Sequence, residues 1–168
     1  MDDAANGGYS RAPELEDLLN LCQALNREGV RYVLIGGFAV ILHGFVRGTK
    51  DIDLLLDASE NNIQAVKRAL ADLPDNAAAL IADDEVRKYQ VVRIADEIVV
   101  DLMAAACGID YSAALAGGIE RITVRSVEIP VARKELLIRM KDTIRPSDAA
   151  DVHFLRLRIE EDRRKKEG

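Results

Sequence analysis

The tightest constraint on this chain lies between residues 32 and 54. There the apolar run Tyr32-Val33-Leu34-Ile35 meets Gly36-Gly37, a short apolar segment follows, and Arg47-Gly48-Thr49-Lys50 leads into Asp51-Ile52-Asp53-Leu54. The first run reads as a buried strand closed by a glycine turn, and the alternation through Asp51 and Asp53 reads as a second strand. Successive strand residues point to opposite faces, so Asp51 and Asp53 share a face, about 6.6 Å apart at the standard rise. Two carboxylates so placed can bracket a hard cation such as Mg²⁺, which takes oxygen ligands and often shares them with substrate phosphates. Gly36 and Gly37 let a phosphate approach the backbone, and the helix that starts there offers unpaired N–H groups to an anion. A phosphate cradle beside a carboxylate pair points to phosphoryl or nucleotidyl transfer.

A chain of 168 residues with 49% hydrophobic content suits one domain with one core. Aromatic residues make up only 4% and tryptophan is absent, so no row of rings advertises single-stranded nucleic-acid binding. The acidic, polar start from Met1 to Gly8 does not read as a signal peptide, and the longest apolar stretch, Ile98 to Cys107, is interrupted by Asp101. Cys22 and Cys107 have neither metal-site nor disulfide spacing. The expectation is a cytoplasmic protein with no membrane partner. Charge is uneven: residues 121–168 hold 13 basic against 9 acidic residues, and the first 120 hold 10 against 20. A basic face turned toward a polyphosphate or RNA fits that split, as do ordinary solvated helix faces.

Residues 1–10 read as a disordered start, 11–130 as a core and 131–168 as a helical segment packed on it. Pro13 suits a first helical turn, Leu15, Leu18, Leu19, Cys22 and Leu25 form a buried stripe, and Gly29 ends the helix. Phe38 to His43 is a short helix, Ser59 is placed to cap the next one, and Pro74 to Ala82 is a short Ala-rich segment. Val86 to Ile94 and Ile98 to Met103 read as a hairpin. In its second strand Asp101 stands among Val99, Val100, Leu102 and Met103, where a charge is expensive unless it is paired or binds metal. Asp101 is therefore the natural third carboxylate. Cys107 to Gly118 is a loop with a short helix, and Ile119–Arg125 and Val127–Pro130 are extended. A helix over Arg133–Asp142 buries Leu136, Leu137 and Met140. A last helix, capped by Ser147, turns Val152, Leu155 and Ile159 inward, and its charged end from Glu160 is expected to fray.

A strand ending in Gly36-Gly37, a short helix, Arg47-x-Thr49-x-Asp51-x-Asp53 on the next strand and an isolated strand aspartate together resemble the nucleotidyltransferase superfamily, the fold of DNA polymerase beta. The chain looks most like the stand-alone bacterial and archaeal branch that includes AbiEii-type toxins of toxin–antitoxin systems. The resemblance runs from about Leu18 to Leu157, and the stretch Val131 to Lys141 with Arg145, Asp148 and Asp151 looks like that branch's C-terminal helices. It implies an α/β (α+β) fold, a short mixed sheet backed by helices. It also implies a magnesium- or manganese-dependent transfer of NMP from an NTP to an acceptor hydroxyl. Gly36 and Gly37 match the phosphate-binding turn, Asp51, Asp53 and Asp101 match metal-binding catalytic carboxylates, and Lys141 matches a basic position facing the nucleotide phosphates. Arg47, just ahead of the aspartates, is a candidate phosphate contact. The acceptor is left open among tRNA, another RNA, a protein and a small molecule, and an antitoxin or other protein partner is implied. A serine follows the glycines in many active members, and Phe38 stands there instead, removing one hydroxyl contact to the phosphates. That departure keeps open an inert nucleotide- or protein-binding module of the same fold. A phosphatase with an aspartate nucleophile fits poorly, because its first aspartate belongs on the first core strand.

Overall fold

A computed structural model of the chain describes residues 10–143 and 145–168. Residues 1–9 of the expected disordered start lie outside the described residues. Ser10, its last member, donates its hydroxyl to the Asp96 carbonyl at 2.7 Å.

Helix α1 (Leu15–Arg27) opens where Asp17 accepts the Glu14 N–H at 2.7 Å, and it closes before Gly29 at φ +69°. Its stripe is fully buried at Leu18, Cys22 and Leu25, and burial pushes the Cys22 thiol up to about 12, as expected of a packing residue. Strand β1 (Tyr32–Ile35) is buried at every position, so helices cover both its faces. Helix α2 (Gly36–Leu42) starts on the glycines themselves, two residues earlier than the apolar pattern suggests. Strand β2 spans Asp51–Leu56, and Ser59 stands at the N-cap of helix α3 (Glu60–Leu70). The Ser59 hydroxyl does not cap that helix. It accepts from the Arg31 guanidinium at 2.9 Å instead.

The largest difference from expectation falls at Val86–Ile94. Glu85–Lys88 form a single helical turn, α4, and only Val92–Ala95 form strand β3. Val86 is fully buried beneath this turn, which decides it over a strand, and the exposed Lys88–Asp84 pair at 2.7 Å adds little. Strand β4 (Val99–Met103) pairs antiparallel with β3. The expected loop after it holds a small hairpin, β5 (Ala105–Ala106) and β6 (Ile109–Asp110), turned through Cys107 and Gly108 at φ +48° and +77°. Asp110 then caps helix α5 (Tyr111–Gly117), accepting from the Ala113 N–H at 2.8 Å. Strands β7 (Ile119–Val124) and β8 (Val127–Ala132) form a hairpin turned through Arg125 and Ser126, both at positive φ.

Helix α6 (Lys134–Met140) buries Leu136, Leu137 and Met140 as expected. The last helix, α7 (Pro146–Glu167), begins one residue before the expected cap. Pro146 fills its first turn, Arg145 is the N-cap, and Ser147 lies inside. Helical structure continues through Glu167 rather than fraying from Glu160, and Lys134 reaches Asp162 on it at 3.1 Å. Of its expected inward residues Leu155 is fully buried and Val152 and Ile159 are half-buried, while Phe154 stacks on Phe45 with ring centroids 4.6 Å apart.

The main sheet has six strands in the order β3-β4-β2-β1-β8-β7, mixed in direction. Strands β1 and β2 run antiparallel, and β2–β4 and β1–β8 are parallel. This is the α+β architecture of a nucleotidyltransferase-like fold. The pairing decides the site: Asp53 lies opposite Ile35 on one side and opposite Asp101 on the other.

Candidate active site

Strand β2 presents Asp51 and Asp53 on one face, and the parallel register of β4 brings Asp101 beside Asp53 on that face. One carboxylate oxygen from each of the three residues falls within 4.8 Å of the others. The glycine turn is built around this group. Gly36 has φ +72°, and a Cβ there would lie 1.9 Å from Asp53 Oδ2, so the missing side chain is the space the carboxylate fills. A Cβ at Gly37 would lie 2.6 Å from Thr49 Oγ1, on the loop that delivers β2. The glycines therefore make room for side chains of the β2 strand and of the loop before it.

Three carboxylates in this space repel one another. Burial, then Asp51 and Asp101, push the Asp53 carboxyl up to about 7, and burial with Asp101 raises Asp51 as well. Lys141 and then Arg93 oppose the shift of Asp53, and Arg93, directly across the β3–β4 ladder from Asp101, pairs with the other two carboxylates. Its Nε and Nη2 each donate to Asp101 at 2.9 Å, and Nη2 also donates to Asp51 Oδ2 at 3.2 Å. These bonds raise the guanidinium's already high affinity for its proton. An all-oxygen donor set with surplus negative charge is what a hard divalent cation requires, so the residues fit Mg²⁺ or Mn²⁺.

The carboxylates open into a cleft of about 1050 Å³, lined also by Gly36, Arg93, Lys141 and Arg145. Lys141 follows α6 and is almost fully buried. Its Nζ sits 2.9 Å from Asp151 Oδ2 and 3.3 Å from Asp148 Oδ1, both on the first turns of α7. Burial alone would raise Asp148, but a hydrogen bond from Thr143 and the charges of Lys141 and Arg145 outweigh it and hold the carboxyl below its usual range. Arg47, on the loop before β2, joins the same network, its Nη2 donating to Asp151 Oδ2 at 2.8 Å. Arg47 Nε and Asp151 Oδ1 are buried without a hydrogen-bond partner among the described residues.

Among the residues singled out from sequence, Gly36, Asp51, Asp53, Asp101 and Lys141 line one cleft. Gly37 and Arg47 lie outside its lining, Gly37 against Thr49 and Arg47 against Asp151. Sequence reading missed Arg93. Its only signal is the alternation Val92-Arg93-Ile94, which acquires meaning once the register sets Arg93 against Asp101.

The comparison with known families decides the class. A family described as "Nucleotidyltransferase of unknown function (DUF6036)" matches residues 14–98. The chain belongs to this family. The match takes in the turn Gly36-Gly37, the Asp51/Asp53 strand and Arg93, and it stops short of Asp101 and Lys141. It supports the superfamily and does not reach the AbiEii-toxin-like branch. No curated protein matches the chain. No helix among the described residues is long and apolar enough to cross a membrane.

Proposed function

We propose that the cleft takes an NTP with a divalent cation and transfers its NMP to an acceptor hydroxyl, releasing pyrophosphate. The observation that carries this reading is the convergence of Asp51, Asp53 and Asp101 within 4.8 Å on the floor of a cleft whose wall holds Lys141. Asp51, Asp53 and Asp101 are the residues that would hold Mg²⁺ or Mn²⁺. When bound, such ions neutralise triphosphate charge and favour loss of the acceptor's proton. The chain's own contribution is positional. Lys141 is fixed by two buried carboxylates, with a third ammonium proton left for phosphate. Arg145, whose side chain is 72% exposed at the cleft and donates to Asp148, supplies a second cation. Of the glycine turn, Gly36 alone lines the cleft, at the start of α2. In the transfer the acceptor oxygen bonds to the α-phosphorus, the bond to the pyrophosphate oxygen breaks, and the hydroxyl proton leaves to the carboxylate group or to water.

Phe38 supplies no hydroxyl to the turn, because its ring is buried in the core, so phosphate contacts in this reading fall to the cleft's cations. A cytoplasmic setting, where NTP and Mg²⁺ abound, and a toxin–antitoxin role belong to the same proposal, the latter on resemblance alone. The test is transfer of label from each of the four α-labelled NTPs, with Mg²⁺, to total RNA, protein and small-molecule hydroxyl acceptors. The wild type labels one fraction and the Asp51→Ala/Asp53→Ala variant labels none. Binding of NTP without label in any fraction would instead establish the inert module.

A further inference from the structure

Arg93 occupies the oxygens a divalent cation would need. It meets both oxygens of Asp101 through two nitrogens at 2.9 Å and adds a bond to Asp51 Oδ2 at 3.2 Å. Two of the three candidate metal ligands therefore already share one guanidinium of the same protein. Its partner is fixed: the Asp101 side chain is 7% exposed, on an interior strand flanked by β2 and β3. Arg93 itself is not fixed. Its side chain is 59% exposed, β3 is an edge strand, and the residue lines the cleft, so the guanidinium can leave without disturbing the core. A cation entering among the carboxylates and the guanidinium would repel each other within a few ångströms, and Arg93 lines the cleft, where its fork matches the oxygens of a polyphosphate.

We infer that Arg93 is an exchangeable counter-cation, holding Asp101 and Asp51 before metal enters and passing to the substrate's phosphates when it does. The inference rests on the metal-dependent reading above. It makes Arg93 a residue with two opposed effects: it weakens metal binding by competing for the ligands, and it strengthens binding of the metal-charged polyphosphate. A guanidinium that merely braced Asp101 in place would support both ligands, and its loss would weaken both.

The experiment uses the full chain as wild type, Arg93→Gln and Arg93→Lys, with folding checked by circular dichroism. Free Mn²⁺ binding is followed by electron paramagnetic resonance, and binding of Mn²⁺–tripolyphosphate, a probe with no base preference, by calorimetry. Arg93→Gln is expected to bind Mn²⁺ about three- to tenfold more tightly and Mn²⁺–tripolyphosphate about tenfold more weakly, since a partly exposed charged fork is worth that much at each end. Arg93→Lys, keeping the charge but not the fork, falls between on both. Affinities that move together, or either one unchanged, overturn the exchange. Mn²⁺ binding by the wild type with no gain in Arg93→Gln defeats the exchange alone, while failure of every form to bind Mn²⁺ defeats the metal-dependent reading with it.

Discussion

At the residue scale the electrostatics of the cleft turn on Asp53. Its carboxyl holds a proton to about 7 in the fold because it is buried beside Asp51 and Asp101. In the unfolded chain the same group loses its proton at about 3.9. The folded state therefore binds more protons across that window, so the metal-free protein loses stability as pH rises through it, with the loss complete above about 7. Thermal unfolding in EDTA checks this: the wild type melts lower at pH 8 than at pH 5, and Asp53→Asn flattens the difference. Metal affinity runs the other way, because a ligand must shed its proton to bind, so Mn²⁺ binds more tightly at pH 8 than at pH 6. In the transfer assay Asp53→Ala costs about a thousandfold in rate, the several kcal/mol that a misplaced metal forfeits. Full activity in that variant would remove the metal assignment.

At the scale of elements, two junctions hold the cleft together. The first is the β1–α2 turn, where Gly36 makes room for Asp53. Gly36→Ala places a methyl 1.9 Å from Asp53 Oδ2 at a φ of +72°, so either the turn or the carboxylate moves. The expected result is a loss of about 1–3 kcal/mol in urea unfolding, with Mn²⁺ binding impaired beyond it. The second junction is the pairing of Lys141 with Asp148 and Asp151, which ties α6 to α7. Lys141→Met leaves two buried carboxylates short of a partner and costs about 3–5 kcal/mol. Arg145→Ala removes an exposed partner of Asp148 and costs under about 1 kcal/mol. Denaturant titrations of the two variants side by side separate a structural lysine from a surface arginine.

At the scale of the molecule, a mixed six-stranded sheet carries the carboxylates on its interior strands, and the C-terminal helices close the cleft beside them. The end of α7 is peripheral to this arrangement. Its buried residues are Asp148, Asp151 and Leu155, all in its first half. Removing residues 160–168 gives up exposed ion pairs and the Lys134–Asp162 contact, so unfolding free energy falls by no more than about 1 kcal/mol. Leu155→Ala, by contrast, empties a fully buried site and costs about 2–5 kcal/mol. Comparable losses from the two changes would show that the distal half of α7 is part of the core.

The sequence alone determined the elements whose signals are local. The α1 stripe, the Ile35-Gly36 junction and the Asp51–Leu56 strand follow from apolar periodicity and glycine placement within a few residues. It also singled out Asp101, because an unpaired acid inside an apolar strand demands a reason. Tertiary structure alone decided what depends on pairing between distant segments. The β2–β4 register sets Asp101 beside Asp53, the β3–β4 register sets Arg93 across from Asp101, and α7 turns Arg47 and Lys141 toward one oxygen of Asp151. The short turn at Glu85–Lys88 belongs to this second class, since Val86 satisfies a strand pattern by itself and becomes helical only where the fold buries it. The physical reason is common to all of them. Periodicity records which face of an element is apolar, and it carries no record of which element that face, or the polar residues beside it, will meet.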